Sequence, residues 1–258
     1  MGICNVTEDS FSDGGKTFRA KDALNHIKIM VKGGATIIDI GAESSRPGSE
    51  PITYQKEIRR LKPILEQLPK DKFIISVDTN KVETQEFVLH AGIHIINDIF
   101  GGNDDLFYLT KKFQSGVILM HTPAPPKIMQ TKTRSYSNVV KDIQKYFKSR
   151  IRQLDRYNIS HKKVWLDPGV GFGKNLNQNL LIMQNIKKFR LKNCGLLFGS
   201  SRKSWINKID GSSVGCRLGG SLASALYCMS QGVDILRVHD IFETQQAIEV
   251  YKRITCLR

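Results

Sequence analysis

Groups able to do acid, base or ligand chemistry recur in this chain at one place in a repeating unit, directly after a short apolar run. Met1 to Val6 overlaps Asn5-Val-Thr-Glu-Asp-Ser-Phe-Ser-Asp-Gly-Gly15, and Thr36 to Ile40 leads into Gly41-Ala-Glu-Ser-Ser-Arg-Pro-Gly48. Further on, Asp78-Thr79, Asn97-Asp98, His121, Asp167-Pro-Gly-Val-Gly-Phe-Gly-Lys174, Gly199-Ser-Ser-Arg-Lys-Ser204 and His239-Asp240 each follow such a run. Singly, each has an ordinary reading: Asp78 and Asp167 as helix caps, Asn97 as a turn residue, Lys203 as a solvated loop lysine. Brought together, two carboxylates, an amide and a lysine suit a flat polar heterocycle. Arg237, His239, Arg46 and Asn5 suit a diphosphate with a metal ion. The opening loop is too polar for a core, and its glycine pair reads as the end of a mobile active-site loop with Asn5 fixed at a strand tip.

The elements that must position these groups alternate in type. Apolar residues at Ala20, Ala23, Leu24, Ile27 and Val31 make a helical stripe that Gly33-Gly34 ends. Ile52 to Leu68 reads as a helix with a break or kink near Leu61 caused by Pro63, and Val82 to Ala91 as another. Val140, Ile143, Phe147, Ile151 and Leu154 mark a long helix, Gly219 to Met229 a small-residue helix, and the last helix reaches about Ile254. Eight strand candidates separated by helices predict a parallel sheet, and eight units predict closure into a single-domain (β/α)8 barrel over residues 1–258. In that fold the loops after the strands form the active site, which is where the chemistry gathers here. A doubly wound open sheet is the alternative, weakened by the lack of a GxGxxG after any strand.

With 258 residues, 40% of them hydrophobic, the chain can bury a large core. Its five cysteines form no CxxC pair and no metal-type spacing with the six histidines, which argues against structural zinc or a disulfide framework and for a reducing compartment. No apolar run approaches the roughly 20 residues needed to span a bilayer. The sequence is therefore expected to be cytoplasmic, with no membrane partner. A formal charge of +15 invites a nucleic-acid reading, but the lysines are scattered over nearly every helix candidate, with a local cluster only at Lys187, Lys188, Arg190 and Lys192. No nucleic-acid partner is expected, and a cationic surface still draws in small anions.

The motif series resembles that of dihydropteroate synthases. Asn5 to Gly15, Glu43-Ser-Ser-Arg-Pro-Gly48, Ser76-Val-Asp-Thr79, Ile95-Ile-Asn-Asp-Ile99, Asp167 to Lys174, Ser201-Arg-Lys-Ser204 and Arg237-Val-His-Asp240 carry the resemblance, in order and across the whole chain. It implies a (β/α)8 enzyme of folate synthesis that joins a dihydropterin-CH2-diphosphate to p-aminobenzoate and releases pyrophosphate with Mg2+ assisting. It also implies sulfonamides as mimics of the second substrate, and a homodimer. By resemblance, Asp78, Asn97, Asp167 and Lys203 hold the pterin, with Met120 near its ring. Asn5 binds Mg2+, while Arg237 and His239 hold the diphosphate together with Ser45 and Arg46. Phe11, Pro47, Phe172 and Ser204 border the aminobenzoate pocket. Asp13 lies near the reacting methylene, as cation stabiliser or base, and Asp13, Arg46 and Lys203 form the catalytic set.

Three departures stand out: Ser45 where the family has Thr, Glu8 where it has Pro, and His121-Thr-Pro-Ala-Pro-Pro in place of a Met-Gln-Gly-containing loop. The first two bear on sulfonamide sensitivity and on the order of the first loop, not on the chemistry. The first strand begins almost at Met1, which reads as a truncation, a misplaced start or a piece cut from a larger folate enzyme. Competing functions are a pterin-dependent methyltransferase, a Schiff-base lyase using Lys203 and a non-catalytic basic barrel. The first is not expected to have the Asp9-Ser-Phe-Ser-Asp-Gly-Gly loop or Ser-Arg-Lys-Ser.

Overall fold

The structure is a computed structural model that describes residues 1–7, 16–44, 49–124 and 136–256; the side chains of 16–19 are outside the description. Eight parallel strands follow one another in chain order: β1 Gly2–Asn5, β2 Ile37–Gly41, β3 Ile74–Asp78, β4 Ile95–Asp98, β5 Gly116–Met120, β6 Val164–Asp167, β7 Gly195–Phe198 and β8 Ile235–Leu236. The apolar runs that predicted them are buried on both faces for most of their length, as strands of a parallel sheet must be, with Ile74 at the start of β3 exposed. The chain just after β8 also meets β1: Ile3 N donates to Val238 O and Val238 N donates to Met1 O, each at 3.0 Å.

The connecting helices are α1 Lys16–Lys32, α2 Tyr54–Leu65, α3 Val82–His90, α4 Asp104–Phe113, α5 Val139–Asp155, α6 Leu176–Gln184, α7 Ser204–Asp210, α8 Leu218–Ser230 and α9 Ile241–Thr255. Thr53, Asn103, Asn138 and Asn175 cap α2, α4, α5 and α6 by accepting backbone N–H bonds, which fixes where those helices start. The helix α2 continues through Pro63 to Leu65, so the proline does not end it at Leu61. Of the predicted stripe on α5, Ile143, Phe147, Ile151 and Leu154 are buried, while Val140 is half-buried and Val139 takes its place at the first turn.

The curled sheet has a helix face and a concave face. Ile38, Ile40, Ile75, Val77, Ile96, Val117, Leu119, Leu166, Leu196 and Phe198 point to the helices and form the main core with them. The alternate residues point inward in layers. The lower layer is apolar, with Ile37, Ile95, Ile118, Leu197 and Ile235 packed together and Trp165 against them. Gly116 and Gly195 flank that indole so closely that a side chain at either would run into the ring. Register then sets the upper layer. Asn5 pairs with Gly41, Gly41 with Asp78, Asp78 with Asn97, and Met120 with Asp167.

Candidate active site

That register brings the strand-end groups level at the C-terminal edge of the sheet, around one cavity. Its wall includes Asp78, Asn97, Met120, Asp167, Phe172, Lys203, Arg237 and His239, the greater part of the set expected from sequence. Asn5, half-buried at the tip of β1, stands beside Gly41; a Cβ added there would come within 3.4 Å of its Oδ1. Ser204 is exposed as the first residue of α7 and does not line the cavity. Phe11, Asp13, Ser45, Arg46 and Pro47 lie outside the described residues, as do Glu8 and the chain from residue 125 to 135.

Charge is concentrated in this small buried volume. Arg237 donates from Nε to Asp39 Oδ2 at 2.6 Å and from its NH2 group to Asp78 Oδ2 at 3.0 Å, tying β2, β3 and the end of β8 together. Burial raises the Asp78 carboxyl from 3.8 to about 7, against the pull of Arg237 and with Asp39 and Asp98 adding to the rise. The Asp98 carboxyl goes up to about 6, again through burial, although Phe100 N–H and Gln85 donate to it. Asp167 is raised by burial, opposed by Lys203 and by the Gly169 N–H that it accepts at 2.8 Å.

The two lysines face the same penalty in the opposite sense. Lys203, held by Val170 O and lying 4.7 Å from the Phe172 ring centroid, falls from 10.5 to about 8 through burial, with Asp167 opposing. Lys174 is 3% exposed, and its ammonium donates to three carbonyls: Gly169 O at 2.8 Å, Phe172 O at 3.0 Å and His121 O at 3.1 Å. Burial takes it to about 7. It acts as a peg that fixes the loop after β6 to the end of β5. Gly169 has φ +68°, and a Cβ on it would overlap His121 O, so only glycine lets the two backbones close up there. Asn179 of α6 braces the same loop by accepting from Gly171 N at 2.8 Å. His239 Nδ1 lies 3.0 Å from Ser201 Oγ, and Arg202 pairs with Asp240, so the loops after β7 and β8 are also joined.

Sequence reasoning missed Asp39 and the structural part played by Asp98, Lys174 and Ser201. A signal existed for Asp39: a carboxylate inside an Ile-Ile-Asp-Ile run is out of place in a buried strand unless something pairs with it. A larger cavity lies elsewhere. A groove of about 540 Å³ along α5, between Lys141, Lys145, Lys148, Arg152 and Lys192, has no carboxylate in its wall, so size alone does not mark the chemistry.

A fold of this kind, with ionisable groups converging at the carboxyl ends of its strands, defines a ligand-binding α/β enzyme. The family profile described as pterin binding enzyme matches residues 1–239. The dihydropteroate synthase of Escherichia coli is 41% identical over 253 residues, covering 97% of this chain and 89% of that protein. Among solved structures, the Yersinia pestis dihydropteroate synthase with a sulfonamide drug superposes with a TM-score of 0.91 at 38% identity, covering 99% of this chain and 94% of that one. The Xanthomonas albilineans dihydropteroate synthase with 4-aminobenzoic acid gives 0.92 at 31% identity, over 100% and 93%. The chain belongs to the dihydropteroate synthase family of pterin binding enzymes.

Proposed function

We propose that this chain joins (7,8-dihydropterin-6-yl)methyl diphosphate to 4-aminobenzoate, releasing pyrophosphate and forming dihydropteroate. The observation that carries this reading is the convergence of Asp78, Asn97, Asp167 and Lys203 on one buried cavity. The 2-amino group and ring N–H groups of a pterin form an edge of donors, which two carboxylates and an amide oxygen complement. Its carbonyl and ring nitrogen accept, which Lys203 complements. Met120 packs near the ring, and Phe172 and Ser204, with Phe11 and Pro47, border the aminobenzoate.

At the other end of the substrate, Arg237 and His239, with Ser45 and Arg46, take the diphosphate. Asn5 is the residue we assign to Mg2+. Among the described residues no cluster of three or more His, Cys, Asp or Glu side chains could hold a metal. That fits Mg2+, which takes few protein ligands beside phosphate oxygens and water, and the space left by Gly41 admits a partner for the Asn5 amide oxygen. Bound there, Mg2+ supplies positive charge to the leaving pyrophosphate. Arg237 and Arg46 neutralise the same growing charge. The methylene left behind is a cation conjugated to an electron-rich pterin, so the C–O bond breaks first and the aniline nitrogen attacks afterwards, an SN1-like course. Asp13 is assigned to the neighbourhood of that methylene and Lys203 to the pterin's acceptor edge.

The contacts between the chain after β8 and β1 support closure of the sheet into a full (β/α)8 barrel forming one domain. Exposed Val250 and Ile254, which line a cavity of about 490 Å³ between α8 and α9 together with Leu218, Leu222 and Leu226, support a homodimer through that face. A folate-synthesis role and the free cysteines fit a cytoplasmic setting. The test is pyrophosphate release with both substrates and Mg2+ present. Turnover that needs both organic substrates is the expected result; release without 4-aminobenzoate, or none, refutes the reading.

A further inference from the structure

Asp39 has no solvent-exposed surface and lies one inward position below Gly41, in register with Ser76. It is not among the residues that line the cavity. Its Oδ2 accepts from Asn97 Nδ2 at 3.0 Å as well as from Arg237 Nε at 2.6 Å. An ionised carboxylate can only accept, so the nitrogen end of the Asn97 amide has to face Asp39. The amide oxygen is then the end that Asn97, itself 5% exposed, has left for the cavity it lines. The same carboxylate holds Arg237 against the wall beside Asp78.

We infer that Asp39 is a positioning residue of the pterin site. It sets Asn97 as an acceptor toward the ligand and clamps Arg237 beside it, so the site selects a heterocycle whose edge carries amino N–H donors. This rests on the pterin reading proposed above. The physical argument is one of amide orientation: the two ends of an Asn side chain have nearly the same shape, so only their partners decide which end faces a ligand. With an amide at position 39 either orientation of Asn97 finds a partner, and the site loses the share of the distinction between an amino group and a carbonyl that Asn97 supplies beside the carboxylates of Asp78 and Asp167.

The experiment is a titration of wild type and Asp39→Asn with 6-hydroxymethylpterin and with 6-hydroxymethyl-lumazine, which has an oxo group in place of the 2-amino group. Wild type is expected to prefer the pterin. Asp39→Asn should reduce that preference at least tenfold, chiefly through weaker pterin binding. The exchange Asp39→Asn with Asn97→Asp rebuilds a carboxylate–amide pair while keeping an acceptor on the cavity, and should restore the preference. A purely structural role would weaken both compounds alike. An unchanged ratio in a folded Asp39→Asn protein overturns the inference and leaves the pterin reading standing, whereas wild type that binds neither compound overturns both. Should Asp39→Asn not fold, a neutron structure of wild type with 6-hydroxymethylpterin decides: Asn97 Oδ1 toward the ligand supports the inference, and Nδ2 toward it overturns it.

Discussion

The two inward layers of the sheet are built on the same strands and separated by only two residues of chain, yet they obey opposite rules. In the lower layer Ile37, Ile95, Ile118, Leu197 and Ile235 meet as apolar neighbours, with Trp165 filling the space that Gly116 and Gly195 vacate. In the upper layer Asp39, Asn97 and Asp167 are buried and Asp78 and Arg237 half-buried, and Asp39, Asp78, Asn97 and Arg237 pair across strands far apart in sequence. Burial stabilises the first layer and penalises the second, and the raised carboxyls and lowered lysines record that penalty. The lower layer is there to hold the barrel-like sheet, and the upper layer keeps unsatisfied capacity for a ligand.

The contrast breaks most visibly by emptying the lower layer. Leu197 is fully buried, and Leu197→Ala should cost about 2–5 kcal/mol by chemical denaturation while leaving pterin affinity per folded molecule unchanged. A parallel loss of affinity would show that the layers are not separable.

In the upper layer the signs should reverse. Lys203→Ala removes a charged donor, so pterin affinity should fall by roughly 1.5–3 kcal/mol, while loss of a half-buried ammonium held by the Val170 carbonyl should move the thermal midpoint much less than the change at Leu197. Isothermal titration with a pterin alone, beside a melting curve, checks both halves. Unchanged affinity would take Lys203 out of the site.

Titration sharpens the comparison further. Between pH 3.8 and about 7 the folded protein holds a proton on Asp78 that the unfolded chain has lost, so this group makes stability fall as pH rises through that window. Between about 7 and 10.5 the unfolded chain holds a proton on Lys174 that the folded protein has lost, so stability rises again with pH. Thermal midpoints of wild type across this range should pass through a minimum near neutrality. Lys174→Met should weaken the alkaline rise, leaving the share that Lys203 contributes, and Asp78→Asn should weaken the acid-side fall, leaving the share of Asp98. A wild-type curve that is flat from pH 5 to 9 would contradict the burial of both.

The smallest effect is expected at the edge of the upper layer. Asn5→Ala should lower turnover by roughly tenfold, about 1.4 kcal/mol, with partial recovery in excess Mg2+. A rate and Mg2+ dependence equal to wild type would leave Asn5 as a strand-end residue only.

Much of the upper layer was legible because a parallel α/β sheet puts its chemistry after its strands: Asp78, Asn97, Met120, Asp167 and Arg237 all stand where the apolar runs stop. Lys203 and Phe172 were legible in the same way, from the loops that follow. Asp39 was not, since it sits inside a run whose composition reads as plain core, and only cross-strand register reveals its partners on β4 and after β8. Lys174 was legible as part of a motif but not as a peg, because its three carbonyl acceptors depend on how the backbone turns at Gly169. Element ends shifted for local reasons. The helix α1 starts at Lys16, earlier than its apolar stripe, and α2 passes through Pro63, where packing of Leu61, Ile64 and Leu65 outweighs a lost backbone bond.

The chain contains two tryptophans, and they stand on opposite faces of the sheet. Trp165 is wedged between glycines in the lower layer of the concave face, while Trp205, on α7, is buried in the core between sheet and helices. The molecule thus carries its own pair of fluorophores, one for each face. With Trp165→Phe the remaining emission follows the helix-side core; with Trp205→Phe it follows the concave face. A denaturant series read through each in turn shows whether the two faces of the sheet come apart together or one before the other.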